Sequence, residues 1–296
     1  MYRVVGVGEL LWDLLPAGKQ IGGAPANFAY HASALGASAM TISRVASDAL
    51  GRELLAQLDR VGVNIEGIQI DEAHGTGTVA VAIDVDGQPK FDIIPDVAWD
   101  HLAVTPVALH AAALADAICF GTLAQRAETS RDAIHTIVAA APSDALRVLD
   151  VNLRQQFHSR AILEQSLALA TVLKVNDAEL PVLAEMFALT GGVRAQMEQI
   201  AERWQLRAVA LTRGGQGSAL LTAHDWSEHA GVPVRVADTI GAGDAFTAAM
   251  TLGLLAGWSL RDVNAAANEV AAYVASQGGA TPALPQALVE RFVMRG

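Results

Sequence analysis

Short apolar runs alternate with helical stretches along this chain of 296 residues, and no other feature restricts its fold as strongly. Such alternation predicts an α/β fold, in which a mainly parallel sheet carries helices on both faces and right-handed crossovers. No repeat, low-complexity tract or linker divides the sequence, so a single domain is expected. The strand-like runs are residues 3–7, 39–45, 117–120, 147–150, 172–175 and 208–212, and the helical stretches are residues 25–35, 49–61, 130–141 and 177–187.

One segment interrupts this alternation. Residues 76–85 and 88–95 both alternate apolar and polar side chains, and Asp86-Gly87 lies between them. Asp-Gly between two alternating runs is a strong signal for a tight hairpin turn. The segment therefore predicts a β-hairpin that is inserted into the α/β chain.

Composition argues against several kinds of function. A formal net charge of −11 without a basic run disfavours nucleic acid or an anionic membrane as a partner. The longest uncharged run, residues 245–260, contains glycine and is short for a membrane span. Glu9 and Asp13 interrupt the apolar N-terminus, so no signal peptide is predicted and a cytoplasmic location is expected. Cys119 is the single cysteine, which excludes an intramolecular disulfide and favours a buried apolar role.

The stretch DTIGAGDAFTAAM, residues 238–250, predicts an anion site beside a base. Gly241, Ala242 and Gly243 open an Ala-rich helix, whose first N–H groups and dipole attract negative charge. Asp244 lies in the first turn, where its carboxylate could take the proton from a hydroxyl that attacks a phosphoryl group. The alternative is that Asp244 only complements the helix dipole, as acids in first turns commonly do.

A second glycine motif, GGAPANFAYHASALGA, covers residues 22–37. Gly22 and Gly23 permit backbone conformations and close approaches that a side chain would forbid, and Pro25 suits the first position of a helix. Asn27 then lies one turn inside this helix, where its amide could bind a sugar hydroxyl. Asn27 could equally be a polar residue near a helix cap.

These motifs together resemble the ribokinase-like carbohydrate kinases, also called the PfkB family. The resemblance covers nearly the whole chain in family order, and GELLWD, GGAPAN and VAWDH (97–101) look most like fructokinases. It implies one α/β kinase domain over residues 1–296, with a small β lid over the sugar from about residues 9–18 and 76–98. The matching motifs are GELLWD (8–13), GGAPAN (22–27), RVASDALGRELLAQLDRVGV (44–63), DVNLR (150–154), KVNDAEL (174–180), LTRGGQGSALL (211–221), DTIGAGD (238–244) and SQGGATPALP (276–285).

The resemblance also implies a sugar site. Asp13 would accept hydrogen bonds from sugar hydroxyls, and Gly22, Gly23 and Asn27 would complete the floor of the site. Arg154 resembles the arginine that reaches the substrate or the transferring phosphate, although it could instead pair with a surface acid. Val151 replaces the usual proline of this motif, which leaves the placement of Arg154 less fixed.

ATP and Mg²⁺ are implied in the same way. Asn176 and Glu179 resemble the family's pair that organises Mg²⁺ and its waters, and their spacing of three places both side chains on one helical face. A helix cap with an acid in the first turn explains the same pair. A β-turn likewise explains the glycines after the strand at 208–212. The other residues that the resemblance assigns to ATP are Thr212, Arg213, Gly214, Gly217 and Asn268.

A potassium-type cation site beside the anion site is a further feature that the resemblance implies. Its ligands would be largely backbone carbonyls near Asp238, Ile240 and Gly279. Ile240 stands where threonine is usual, so a carbonyl ligand remains there but a hydroxyl contact does not. Whether a monovalent cation binds is therefore left open.

The expected reaction is ATP-dependent phosphorylation of a primary hydroxyl, with D-fructose as the first candidate and fructose 6-phosphate as its product. The alternatives are a kinase for another sugar, for a sugar acid of the 2-keto-3-deoxygluconate type, or for a nucleoside. A different class, an inactive relative that binds sugar or nucleotide as a regulator, is disfavoured because Asp244 and both glycines beside it are intact. Neither a complete dinucleotide fingerprint nor a P-loop is present.

A homodimer is also expected. A lid made of one hairpin and one strand has exposed edges, and such small sheets are seldom stable alone. Two lids could pack together with Trp12 or Trp99 as an anchor, or each tryptophan could pack within its own subunit.

Overall fold

The fold is taken from a computed structural model, which describes residues 1–15, 18–83 and 89–294. The strands within these ranges are β1 (Arg3–Val7), β2 (Leu11–Leu15), β3 (Gly18–Gly22), β4 (Ser38–Ala46), β5 (Ile68–Asp71), β6 (Gly77–Ile83), β7 (Pro89–Ile93), β8 (Ala117–Phe120), β9 (Leu146–Asp150), β10 (Val172–Asn176), β11 (Ala208–Thr212), β12 (Ser218–Thr222) and β13 (Trp226–His229). The α-helices are α1 (Ala24–Ala34), α2 (Ala49–Arg60), α3 (Pro106–Ala113), α4 (Glu128–Ala139), α5 (Arg160–Leu169), α6 (Glu179–Phe187), α7 (Val193–Trp204), α8 (Ala242–Leu255), α9 (Leu260–Ala275) and α10 (Gln286–Val293).

A nine-stranded sheet organises the domain, in the order β13-β12-β11-β10-β9-β8-β1-β4-β5. All neighbouring pairs from β11 to β5 are parallel, whereas β12 and β13 are antiparallel at one edge. The central strands are mainly apolar and helices cover both faces of the sheet: Val5 packs into one hydrophobic cluster and Val4 into the other. The predicted α/β fold with a mainly parallel sheet is confirmed.

Helices α1, α8 and α9 pack against one another on one face of this sheet. Phe28, Phe246 and Val270 belong to the hydrophobic cluster on that face. Gly6 of β1 permits the close approach of α1, because a Cβ atom there would lie 2.0 Å from the carbonyl oxygen of Pro25. This packing brings the N-termini of α1 and α8 to the same region, the carboxyl edge of the sheet.

A separate sheet of four strands has the order β3-β2-β6-β7. β6 and β7 pair antiparallel, which confirms the predicted hairpin, while its turn residues Asp86-Gly87 lie outside the described residues. β2 pairs parallel with β6 and antiparallel with β3. The sequence analysis did not include β3, because its glycine ends suggest a loop rather than a strand.

The two candidate tryptophan anchors are buried within the subunit. Trp12 is 0% exposed and its Nε1 donates to the carbonyl oxygen of Leu50 at 3.0 Å. Trp99 is 1% exposed, and the Arg126 guanidinium lies 4.0 Å from the centre of its ring. The expectation that either tryptophan anchors a dimer is therefore wrong, because neither presents a surface to another chain.

No helix among the described residues has the length and apolar character to cross a bilayer.

Candidate active site

A cleft of about 1630 Å³ runs between the carboxyl edge of the large sheet and the four-stranded sheet. Leu11, Val79 and Ile93 line it from the four-stranded sheet, and Lys174 and Thr212 line it from β10 and β11. Open α/β sheets bind ligands at this edge. The volume exceeds the roughly 300–1,000 Å³ of a pocket for one small molecule, so the cleft has room for two ligands.

The start of α8 forms one wall of this cleft. Gly241 precedes the helix in the left-handed conformation, with φ 78°, and a Cβ atom there would lie 2.3 Å from the carbonyl oxygen of Ala280. No side chain caps this N-terminus, although the N–H of Ala242 donates weakly to the Thr239 carbonyl at 3.3 Å. Gly241, Ala242, Gly243 and Asp244 all line the cleft. The helix dipole therefore points its positive end into the cleft.

Asp244 is held in place by Asn27 of α1. The Nδ2 of Asn27 donates to Asp244 Oδ2 at 2.8 Å. Burial and the nearby Asp150 carboxylate raise the pKa of Asp244 to about 6, while Asn27, Lys174 and Arg154 partly offset the rise. A carboxyl with this pKa is mostly ionised at pH 7 and is a better proton acceptor than an ordinary aspartate. Asn27 thus fixes the orientation of the Asp244 carboxylate, a contact that was not predicted from the sequence.

Two further carboxyls face the cleft from the side of the four-stranded sheet. Burial raises the pKa of Asp13 to about 6, against the lowering effect of Arg154 and with a further rise from Asp238. Glu9 is 3% exposed, its Oε1 accepts the N–H of Ala24 at 3.2 Å, and burial raises its pKa to about 7. Glu9 was not predicted as a site residue, although an acid two positions after an apolar strand was a signal.

Gly22 makes room for the Asp13 carboxyl, and Gly23 makes room for the backbone of Glu9. A Cβ atom on Gly22 would lie 2.4 Å from Asp13 Oδ2, and one on Gly23 would lie 2.3 Å from the Glu9 carbonyl oxygen. Gly23 also has φ 109°, a conformation that favours glycine, and it lines the cleft. Gly22 is not among the lining residues, so its contribution is to accommodate Asp13.

A buried ion pair lies beneath the start of α8. Lys174 Nζ is 2.9 Å from Asp150 Oδ1, and Asp150 Oδ2 accepts a hydrogen bond from Thr247 of α8 at 2.8 Å. Burial alone would lower the pKa of Lys174, but the Asp150 and Glu179 carboxylates raise it. A Cβ atom on Gly243 would lie 3.2 Å from this ammonium group. This pair was not predicted from the sequence; it places the Lys174 ammonium group next to the helix start, with Asp150 balancing its charge.

Arg154 reaches the cleft from the loop after β9. The loop contains Asn152 and Gln155 with φ of 46° and 47°, so it turns sharply although Val151 replaces proline. The guanidinium of Arg154 donates to the carbonyl of Leu153 at 3.1 Å. It lines the cleft and lowers the pKa values of Glu9, Asp13 and Asp244, which places its charge close to all three carboxyls.

Asn176 and Glu179 form the cap that the sequence left as an alternative. Asn176 Oδ1 accepts the N–H groups of Ala178 and Glu179 at 2.9 Å each, and Glu179 Oε2 accepts the N–H of Asn176 at 2.9 Å. Glu179 Oε1 accepts the N–H of Leu153 at 3.0 Å, which fixes the loop that carries Arg154. Asn176 lines the cleft, whereas Glu179 is 4% exposed and does not.

The residues assigned to ATP divide into two groups. Thr212, Gly214 and Gly217 line the cleft as expected. Arg213 does not; its guanidinium lies 3.6 Å from Glu228 and donates to the Ser218 carbonyl. Asn268 lines the cleft, but its Nδ2 donates to Ser218 Oγ at 2.7 Å and to the Asn264 carbonyl at 2.8 Å. Its amide therefore joins α9 to β12.

The three residues of the candidate cation site lie together. Asp238 Oδ1 accepts the N–H of Ile240 at 3.0 Å, and Oδ2 accepts the N–H of Gly279 at 3.2 Å. Ile240 lines the cleft beside Gly241. The Asp238 carboxylate thus organises this loop through backbone N–H groups, which leaves backbone carbonyls as the ligands for a cation.

Comparisons with known proteins cover almost the whole chain. Residues 17–287 match the family described as pfkB family carbohydrate kinase. A putative sugar kinase of Pyrococcus horikoshii is 29% identical over 94% of this chain and 91% of that protein. Its crystal structure in complex with ATP is 28% identical, with a TM-score of 0.78 over 94% of each chain.

Two fructokinases are similar over the same length. The fructokinase of Salmonella typhimurium is 29% identical over 96% of this chain and 96% of that protein. The crystal structure of the fructokinase from Vibrio cholerae O395, in its fructose, ADP and calcium ion bound form, has a TM-score of 0.80 at 26% identity and covers 99% of each chain.

Proposed function

Since this chain belongs to the pfkB family of carbohydrate kinases, we propose that it transfers the γ-phosphoryl group of ATP to a primary hydroxyl of D-fructose, giving fructose 6-phosphate. The placement of Asp244 carries the proposal. Its carboxylate, with a pKa of about 6, lies in the first turn of an uncapped helix inside a cleft with room for two ligands.

The chemistry follows from this arrangement. Asp244 takes the proton from the attacking hydroxyl, and the oxygen attacks the γ-phosphorus in line with the leaving group. The N–H groups at the start of α8 stabilise the negative charge of the transferring group, with Lys174 beneath Gly243 adding a positive charge. Asn27 holds one oxygen of the base, so that the carboxylate has a fixed orientation toward the hydroxyl.

ATP would bring Mg²⁺, which neutralises charge on the phosphates when it is bound. The side-chain oxygens of Asn176 and Glu179 suit an ion that keeps its water ligands. Asn176 Oδ1 and both oxygens of Glu179 already accept backbone N–H groups, so they would contact the ion through water rather than directly. Asn176 would act through such a water from its position on the cleft wall. A monovalent cation would bind to backbone carbonyls near Ile240.

Two observations support fructose as the substrate: the activity named for the relatives, and the polar side chains of Asp13 and Arg154 in the cleft. The curated relative from Salmonella typhimurium is a fructokinase, and the solved one from Vibrio cholerae binds fructose. Asp13 and Arg154 provide an acceptor and a donor for hydroxyls away from the reacting carbon. A site built to bond a hydroxyl rejects a sugar that lacks it, since buried polar groups are then left unpaired.

The test is an ATP-coupled assay over D-fructose, ribose, 2-keto-3-deoxygluconate and adenosine. Fructose should give the highest kcat/KM. The Asp13→Asn variant should raise the KM for fructose by about 10²-fold while the KM for ATP changes little. Asp59→Asn, on the exposed side of α2, is the matched control. A higher kcat/KM for another substrate on the panel contradicts the fructose assignment, and no phosphorylation of any of them contradicts the proposed activity.

A further inference from the structure

Three side chains with metal-binding atoms lie together away from the cleft. One donor atom from each of His74, Asp96 and His101 lies within 4.8 Å of the other two. His101 Nε2 is 2.8 Å from Asp96 Oδ1, and His74 Nε2 is 3.9 Å from the same oxygen. None of the three lines the cleft, so the cluster is separate from the proposed sugar and ATP sites.

The two imidazole rings are stacked. Their centroids are 3.6 Å apart and their planes differ by 12°. The Nε2 atoms of both rings face the same oxygen of the Asp96 carboxylate.

A buried carboxylate fixes the orientation of His74. Its Nδ1 lies 3.2 and 3.3 Å from the two oxygens of Asp71, which is 1% exposed and ion-paired with Arg44 at 2.6 Å. A histidine that donates its Nδ1 proton to a carboxylate keeps the Nε2 lone pair free for a metal. Arg44 also donates to the carbonyl of His101 at 3.0 Å, so one side chain anchors both segments.

We propose that His74, Asp96 and His101 bind a divalent transition metal of the Zn²⁺ class, with water completing its coordination. Two imidazoles and one carboxylate are a ligand set that Zn²⁺ accepts, and the partial exposure of the three residues admits both the ion and the water. Donors around a tetrahedral zinc lie about 3.3 Å apart, and the metal lies near the plane of each imidazole that binds it. The partly exposed ring of His101 would therefore turn out of the stack, so that both Nε2 atoms point to one ion.

The site would connect the two ends of the β6–β7 hairpin. His74 lies three residues before β6, and Asp96 lies three residues after β7. Asp71, which orients His74, ends β5 of the large sheet. A metal bound here would therefore fasten the hairpin to the large sheet and slow backbone hydrogen exchange in β6 and β7.

Calorimetric titration of the EDTA-treated chain with Zn²⁺ tests the proposal. One Zn²⁺ should bind per protein chain. His74→Ala and His101→Ala should each weaken binding at least about tenfold, since even residues outside the ligand sphere change metal affinity by that factor. Asp96→Asn preserves shape and should weaken binding similarly. His110→Ala, which removes an exposed histidine of α3, is the matched control and should bind as the wild type does.

Circular dichroism of each variant checks that the fold is retained. Asp96 is 76% exposed, so Asp96→Asn is the variant that disturbs the fold least. A wild-type chain that binds no Zn²⁺ overturns the proposal. An Asp96→Asn or His74→Ala variant that binds Zn²⁺ as tightly as the His110→Ala control also overturns it.

Discussion

The pH dependence of turnover tests the assignment of Asp244 as the base. Only its ionised form can accept a proton, so activity is present above its pKa and is lost as the pH falls through it. Burial and the Asp150 carboxylate raise this pKa from 3.8 to about 6. The loss should therefore occur within the range in which ordinary aspartates remain ionised.

The size of the effect follows from this pKa. With a pKa of about 6, the ionised fraction falls from about 91% at pH 7 to about 9% at pH 5, so protonation of Asp244 alone should lower kcat/KM about tenfold. With the ordinary value of 3.8, about 94% would remain ionised at pH 5 and the loss would be negligible. The two cases are easily distinguished.

The assay measures initial rates with saturating ATP and limiting sugar between pH 5 and 8, with circular dichroism to exclude acid unfolding. Asp13 also has a pKa of about 6, so Asp13→Asn is the necessary control: it should weaken sugar binding but retain the acidic limb. Asp244→Asn should lower turnover by about 10² to 10⁴, or roughly 3–5 kcal/mol of barrier, without abolishing ligand binding.

A flat profile between pH 7 and pH 5 would refute the argument, as would an acidic limb that disappears in Asp13→Asn. An Asp244→Asn variant that keeps more than about a tenth of the wild-type turnover would show that another group is the base.

Four further predictions concern the stability, turnover and assembly of the protein. In urea titrations, Glu9→Gln should raise the free energy of unfolding by about 1–3 kcal/mol at pH 8 and hardly at all at pH 4.5. The reason is that the raised pKa of about 7 makes ionised Glu9 oppose folding at high pH. Equal effects at both pH values would contradict this. Arg126→Met should cost about 3–5 kcal/mol in the same titrations, since it leaves Asp100 buried without its partner at 2.7 Å, and a cost below about 1 kcal/mol would show that the pair is solvated. Gly241→Ala should lower turnover and melting temperature together, because its Cβ would meet the Ala280 carbonyl at 2.3 Å; unchanged kinetics would disprove the clash. Sedimentation velocity should show a homodimer that forms through the four-stranded sheet, and a fully active monomer at micromolar concentration would exclude it.

Most of the large sheet could be predicted because its signals are local. Each predicted strand is a short apolar run, and each predicted helix has its own period, so the order of elements is written in sequence. The strands β3, β5, β12 and β13 were not predicted. β3 begins and ends with glycine, and β5 (IQID) and β13 (WSEH) contain polar residues rather than an apolar run, so their pairing with neighbours decides their conformation.

The site was predictable where backbone conformation demands a residue type. Gly241 and Gly23 have positive φ, and Asp244 follows at a fixed offset in the helix that Gly241 opens. Side-chain partners were less accessible. Asn176 and Glu179 fit both a magnesium motif and a helix cap, and only the fold shows their oxygens bonded to backbone N–H groups.

The sequence by itself determined the central strands of the large sheet and their alternation with helices, the hairpin and the two glycine-flanked helix starts, because periodicity and backbone preference act over a few residues. The tertiary structure alone decided which charges meet. Asp150, Lys174 and Thr247 lie far apart in the chain, and Glu9 becomes a carboxyl with a pKa of about 7 only when the fold buries it. Burial and electrostatic interaction depend on distance in space, which no local pattern encodes.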